Sequence, residues 1–179
     1  MLTEDSGVGV QRFSTKYVAL EDRMLLLVEE KSRYVNALWL TRRMLNNLIL
    51  PLLKTLNTLP SVQAVPSGQA LIVQKFSQLD AVSGIKKQPP ISVDFAGPQE
   101  SNESLVTAVD VHKKRRKVVL VFRAEPNIEQ ALPLTEKGLR QWLSVLQNQY
   151  QAAGWAETFW PSWMGQQGER AGLPGVHLN

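Results

Sequence analysis

Hydrophobic and polar positions follow two rhythms along this chain. MLLLV (Met24 to Val28) and VVLVF (Val118 to Phe122) are unbroken apolar runs of strand length, as expected for strands buried on both faces. Downstream of each run the spacing changes to i, i+3, i+4, i+7. Leu45, Leu48, Ile49 and Leu52 keep it first, and Leu139, Trp142, Leu143 and Leu146 repeat it. That is the apolar stripe of an amphipathic helix.

The two passages are one phrase written twice. ALWLT (Ala37 to Thr41) returns as ALPLT (Ala131 to Thr135), 94 positions later, and at that offset Arg23 falls on Lys117 and Leu56 on Tyr150 without a gap. Leu26, Ala37, Leu38, Leu40, Thr41, Leu45 and Leu52 all meet an identical residue. Residues 23–56 and 117–150 are therefore expected to be an internal repeat of strand, polar loop, short second strand and helix, set about a pseudo-twofold axis. Thr41 and Thr135 stand where an N-cap hydroxyl accepts a bond from an orphan backbone N–H, a contribution of about 1 kcal/mol. Pro51 predicts a kink or break in the first helix. Gly138 weakens the first turn of the second, and Gly154 suits its C-terminal cap.

Arg12 to Leu20 and Ser104 to His112 read as strands that pair with the runs following them. Ala70 to Phe76, between linker-like stretches at 57–69 and 84–104, and Ile91 to Phe95, within the second of these, are further strand candidates. The expected fold is one α+β domain over 1–179, a mostly antiparallel sheet or β-sandwich of about seven or eight strands with two main amphipathic helices. No βαβ rhythm or glycine-rich phosphate loop points to a dinucleotide fold. An aromatic C-terminal arm is expected at 155–164 and a mobile tail at 165–179.

Composition changes little in this picture. The chain has 179 residues, 44% hydrophobic and 20% charged, enough to bury one sizeable core. It has no cysteine, which removes disulfides and thiolate ligation. The N-terminus lacks the apolar core of a secretory signal, and no apolar run approaches membrane-spanning length. The expectation is a cytoplasmic chain with no membrane association. A net charge of +4 permits an acidic partner without demanding one.

HKKRRK (His112 to Lys117) is the stretch most suggestive of a site. Lys113, Lys114, Arg115, Arg116 and Lys117 could contact nucleic-acid phosphates, supported by Lys86, Lys87, Arg42 and Arg43. The same run also reads as a solvated hairpin turn. Trp155, Phe159, Trp160 and Trp163 crowd into nine residues and could dock a protein partner; equally, they could form an arm laid on the chain's own core. The histidines are His112 and His177, one beside a cationic run and one near the end, which disfavours histidine acid–base or metal chemistry. The adjacent carboxylates Glu21–Asp22 and Glu29–Glu30 would point to opposite faces of a strand. No catalytic, metal or cofactor site is read from the chain.

The segment DRMLLLVEEKSRYVNALWLTRRMLNNLILPLL (Asp22 to Leu53) resembles segments of small uncharacterised bacterial proteins, in which an acidic–basic pair opens a strand and WLTRR opens a helix. That resemblance implies no activity. In order of elements the chain is similar to the head domains of DNA end-joining scaffold proteins and centriolar cartwheel proteins, without their coiled-coil stalk. Those are β-sandwich heads that mediate protein contacts. The expected role is a non-enzymatic interaction or scaffold domain, with an unknown protein partner or a homo-oligomer. The alternative is a nucleic-acid-associated protein using the basic turn 112–117.

Overall fold

The computed structural model of the chain describes residues 9–91 and 103–165. Six strands form one sheet in chain order: β1 (Val10–Val18), β2 (Arg23–Glu30), β3 (Val35–Leu40), β4 (Glu103–Lys113), β5 (Lys117–Ala124) and β6 (Ile128–Thr135). Neighbours are antiparallel except β3 and β4, which run parallel through three pairs, from Ala37–Glu103 to Trp39–Leu105. Four helices accompany the sheet: α1 (Arg42–Asn57), α2 (Pro60–Gln63), α3 (Ser67–Ser83) and α4 (Glu136–Ala152). A short 3₁₀ turn follows at Ser162–Met164. The protein is α+β with a mixed sheet.

Four expectations change. There is one sheet of six strands among the described residues, not seven or eight strands or a sandwich. Ala70 to Phe76 lies inside α3 instead of forming a strand. Its Leu-Ile-Val run looks like a strand, but no glycine or proline interrupts the chain from Gln69 to Ser83. The segment is also rich in Ala, Leu, Gln and Lys, which favour helix. α3 and α2 occupy part of the stretch expected as linker at 57–69. Finally, α1 runs through Pro51 without a break. The carbonyl that proline leaves without a donor is that of Asn47, and both residues face solvent, where water can take the missing bond. Of the Ile91 to Phe95 strand candidate only Ile91 is described, buried and outside regular structure; 92–102 and the tail 166–179 lie outside the described residues.

Elements recur in step. β1, β2, β3 and α1 stand 94 positions before matching parts of β4, β5, β6 and α4. Both threonines cap their helices: Thr41 Oγ1 accepts from the Met44 N–H at 3.3 Å, and Thr135 Oγ1 from the Gly138 N–H at 3.1 Å. α4 ends at a left-handed Gly154 (φ +67), with the Trp155 N–H bonded to the Tyr150 carbonyl at 2.9 Å.

The continuous apolar run of β2 is buried on both faces for two reasons. Met24, Leu26 and Val28 face the main core with α1 and α4. Leu25 and Leu27 face the other way, under Ala37 and Ile91. The segment carrying Ile91 is tied to the sheet by Arg12, which pairs with Glu29 and donates to the Pro89 carbonyl at 2.6 Å.

The sheet is strongly curled. Asn36 on β3 donates to Gln130 on β6, although β4 and β5 intervene in the sheet order. In a flat sheet those strands would lie about 14 Å apart. α4 lies in the resulting trough. Its Trp142 Nε1 donates to Thr15 Oγ1 on β1 at 3.0 Å, and its ring meets Phe122 on β5 edge-on, 6.4 Å between centroids. Gln149 accepts the backbone N–H of Tyr17 at 2.7 Å, which satisfies a donor on the edge strand β1.

Candidate interaction surface

α3 is packed inside out. Its buried side carries Gln74, Gln78 and Ala81. Its solvent side carries Ile72, Phe76 and Leu79, spaced i, i+4, i+7 on one face, with Leu71 beside them. Phe76 is 68% exposed, Ile72 54%, Leu71 53% and Leu79 49%. Scattered exposed apolar residues are ordinary, but a helix that turns its apolar stripe outward is not.

Hydrogen bonds hold the polar underside. Gln74 Nε2 donates to the Leu56 carbonyl at 2.9 Å and to Asn57 Oδ1 at 3.0 Å. Gln78 Nε2 donates to the Arg140 carbonyl at 3.2 Å, and Gln141 Nε2 to the Ala81 carbonyl at 2.9 Å. At the centre is Arg140 of α4, 1% exposed. Its Nε donates to Glu136 at 3.0 Å, its Nη2 to Gln74 Oε1 at 2.7 Å, and its guanidinium stacks 5.4 Å from the Trp163 ring. Arg140 Nη1 and Gln78 Oε1 are buried with no hydrogen-bond partner among the described residues, a donor and an acceptor in one layer.

The aromatic residues singled out in the sequence mostly serve the core. Trp155 and Trp163 are buried, while Phe159 and Trp160 are half-buried. Tyr150 is their hub, edge-on to Trp155 at 5.1 Å and to Trp160 at 5.4 Å. Glu157 locks the arm to α1, accepting from Asn46 Nδ2 at 2.7 Å and from Arg42 Nε at 2.9 Å. The Asn46 bond, then Arg42, hold the Glu157 carboxyl below the usual carboxylate range against the opposing effect of burial. Burial, with help from Glu157, pushes the Tyr150 hydroxyl well above the usual phenol range. Asp22, at a positive φ in the β1–β2 turn, accepts from Tyr17 at 2.8 Å and from Trp155 Nε1 at 3.2 Å.

The structure does not gather the nine sequence-predicted cations in one place. Lys113 to Lys117 form the β4–β5 hairpin turn, all exposed, and none makes an ion pair among the described residues. β4 carries this turn eight residues past its last pair with β3, roughly 25 Å at strand rise. Arg42 and Arg43 begin α1, just after β3, and Arg42 is already paired with Glu157. Lys86 and Lys87 are exposed on the segment after α3. A cleft of about 600 Å³ opens between β1, this segment and α4, lined by Arg12, Phe13, Ile85, Lys86, Gln141 and Trp142.

Among the described residues no three His, Asp or Glu side chains converge so as to hold a metal ion. None of the described helices is long and apolar enough to cross a membrane. The outer face of α3 was legible as an i, i+4, i+7 stripe, but a strand reading of Ala70 to Phe76 hid it. No family model matches the chain, and no curated protein or solved structure matches it either.

Proposed function

We propose that this protein is a non-enzymatic interaction module whose docking surface is the outer face of α3. The observation that carries the reading is the inversion of that helix, polar side bonded to the body and Ile72, Phe76 and Leu79 in solvent. Folding alone gains little from an apolar stripe it leaves exposed; a partner that covers it gains roughly 25 cal/mol for each Å² removed from water. The curled sheet then serves as a frame that presents the helix. A photoreactive amino acid at position 76, activated in intact cells, should give an adduct of discrete mass that disappears when Ile72 is changed to Asp. The same label at Lys54, exposed on α1, should give none. Absence of a discrete adduct at position 76 overturns the reading.

A second reading has its own observation. Five consecutive cations, without an ion pair among the described residues and projected on a hairpin, suit contact with the phosphates of a nucleic acid. It is compatible with the first, since the turn and α3 are separate surfaces.

A further inference from the structure

We infer that the occupant of the α3 face is α3 of a second copy of this chain, packed parallel about a twofold axis. This rests on the docking role proposed above and names its partner. Ile72, Phe76 and Leu79 follow the alternating four–three spacing of a coiled-coil seam. Ser83 continues that seam at its C-terminal end, where its small side chain lets two helices approach, and the exposed Gln69 is the seam position before Ile72. Lys75 and Asp80 flank the seam on opposite sides, five residues apart, and both are exposed.

That spacing selects the orientation. In a parallel pair a flanking residue of one helix meets the residue five positions on in the other, so Lys75 of each copy faces Asp80 of the second copy, twice over. In an antiparallel pair centred on Phe76, Lys75 would instead face Lys75. The Lys137–Asp80 pair within one chain is solvent-exposed, so Asp80 can serve a second cation. Geometry also permits the approach. Gln74 and Ala81, opposite the seam, face the chain's own body, which places both bodies on the outside of the pair. The seam is only three apolar residues deep, far short of the area of a standard interface, so association is weak and concentration-dependent.

Sedimentation equilibrium over a wide concentration range tests this. The wild-type chain should fit a monomer–dimer equilibrium, and Phe76→Asp should be monomeric with unchanged circular dichroism. Lys75→Ala should weaken the dimer roughly three- to tenfold, as expected for removing two exposed ion pairs. Asp80→Lys should weaken it further, and Lys75→Asp combined with Asp80→Lys should restore it. Tighter association of Lys75→Ala would overturn the parallel arrangement, because it would mean relief of a Lys–Lys contact. A wild-type chain that stays monomeric throughout would overturn the second copy as partner. In that case a cross-linked adduct at position 76 of some mass other than twice the chain would leave the docking surface standing, and no adduct would remove both.

Discussion

Asn36 hydrogen-bonds to the residue that holds its own place in the second unit: its Nδ2 donates to Oε1 of Gln130, 94 positions on. The same offset relates the capping residues Thr41 and Thr135. A residue that touches its counterpart sits where a twofold axis would pass. Because β3 and β4 run parallel, that axis would lie along the strands, down the inside of the curl.

This pair is testable. Asn36→Ala removes the donor from Gln130, which is buried, and should lower stability by about 1–3 kcal/mol. Exchanging the pair, Asn36→Gln with Gln130→Asn, keeps donor, acceptor and total length. It should cost less than the single change in a urea melt. Equal losses would show that the bond contributes nothing.

The two helical faces should respond in opposite ways. Leu143 lies on the fully buried stripe of α4, and Leu143→Ala should cost about 2–5 kcal/mol. Ile72→Ser on the outer face of α3 should stay within about 0.5 kcal/mol at concentrations where the chain is monomeric. Chemical unfolding of both variants measures the contrast. A large loss from Ile72→Ser would mean that residue supports the fold.

Acid should loosen the aromatic arm. The Glu157 carboxyl titrates lower in the folded chain than in the unfolded one, because Asn46 and Arg42 favour its charged form. Its contribution is therefore complete above the unfolded carboxylate range, near pH 4–5, and is lost as pH falls through the lower folded value. Tryptophan fluorescence followed down in pH should report release of Trp155 and Trp160. Glu157→Gln, which keeps a bond to Arg42 without the charge, should flatten that part of the profile. An unchanged profile would show that Glu157 does not hold the arm.

The basic turn makes a separate prediction. Replacing Lys113, Lys114, Arg115 and Arg116 with Gln should weaken binding to duplex DNA of any sequence alike, since phosphate contacts carry no base information. The salt dependence should flatten by about one unit of slope for each phosphate no longer neutralised, with no change in the melt. A wild-type chain that binds no DNA at low salt leaves the turn as a solvated hairpin tip.

Local rules made the frame legible. The Met24–Val28 and Val118–Phe122 runs, the threonine caps and the apolar stripes of α1 and α4 each announce themselves within a few residues, and they became strands and helices at the expected positions. What escaped depends on distant partners. Leu71, Ile72 and Val73 read as a strand because nothing nearby reveals that Gln74 and Gln78 will bond to Leu56, Asn57 and Arg140. The site was missed with them: the i, i+4, i+7 spacing of Ile72, Phe76 and Leu79 is in the sequence, but that it points outward is decided by those distant bonds. The curl was equally hidden: it shows in the bond between Asn36 and Gln130, two residues on strands that no local pattern brings together.

Arg140 has a consequence for the order in which the molecule comes apart. A guanidinium buried between Gln74 and a tryptophan has given up its hydration for a single carboxylate, one amide oxygen and a stacked ring. Lifting α3 away returns water to that charge and to the orphaned Gln78 oxygen, so opening recovers solvation that closing gave up. The apolar area exposed in exchange is modest, since of the apolar residues on α3 only Ala81 is fully buried and Ala70, Val73 and Val82 are half-buried. α3 should therefore open as a unit of its own, at a lower cost than the sheet and α4, and its amide protons should exchange with solvent ahead of theirs.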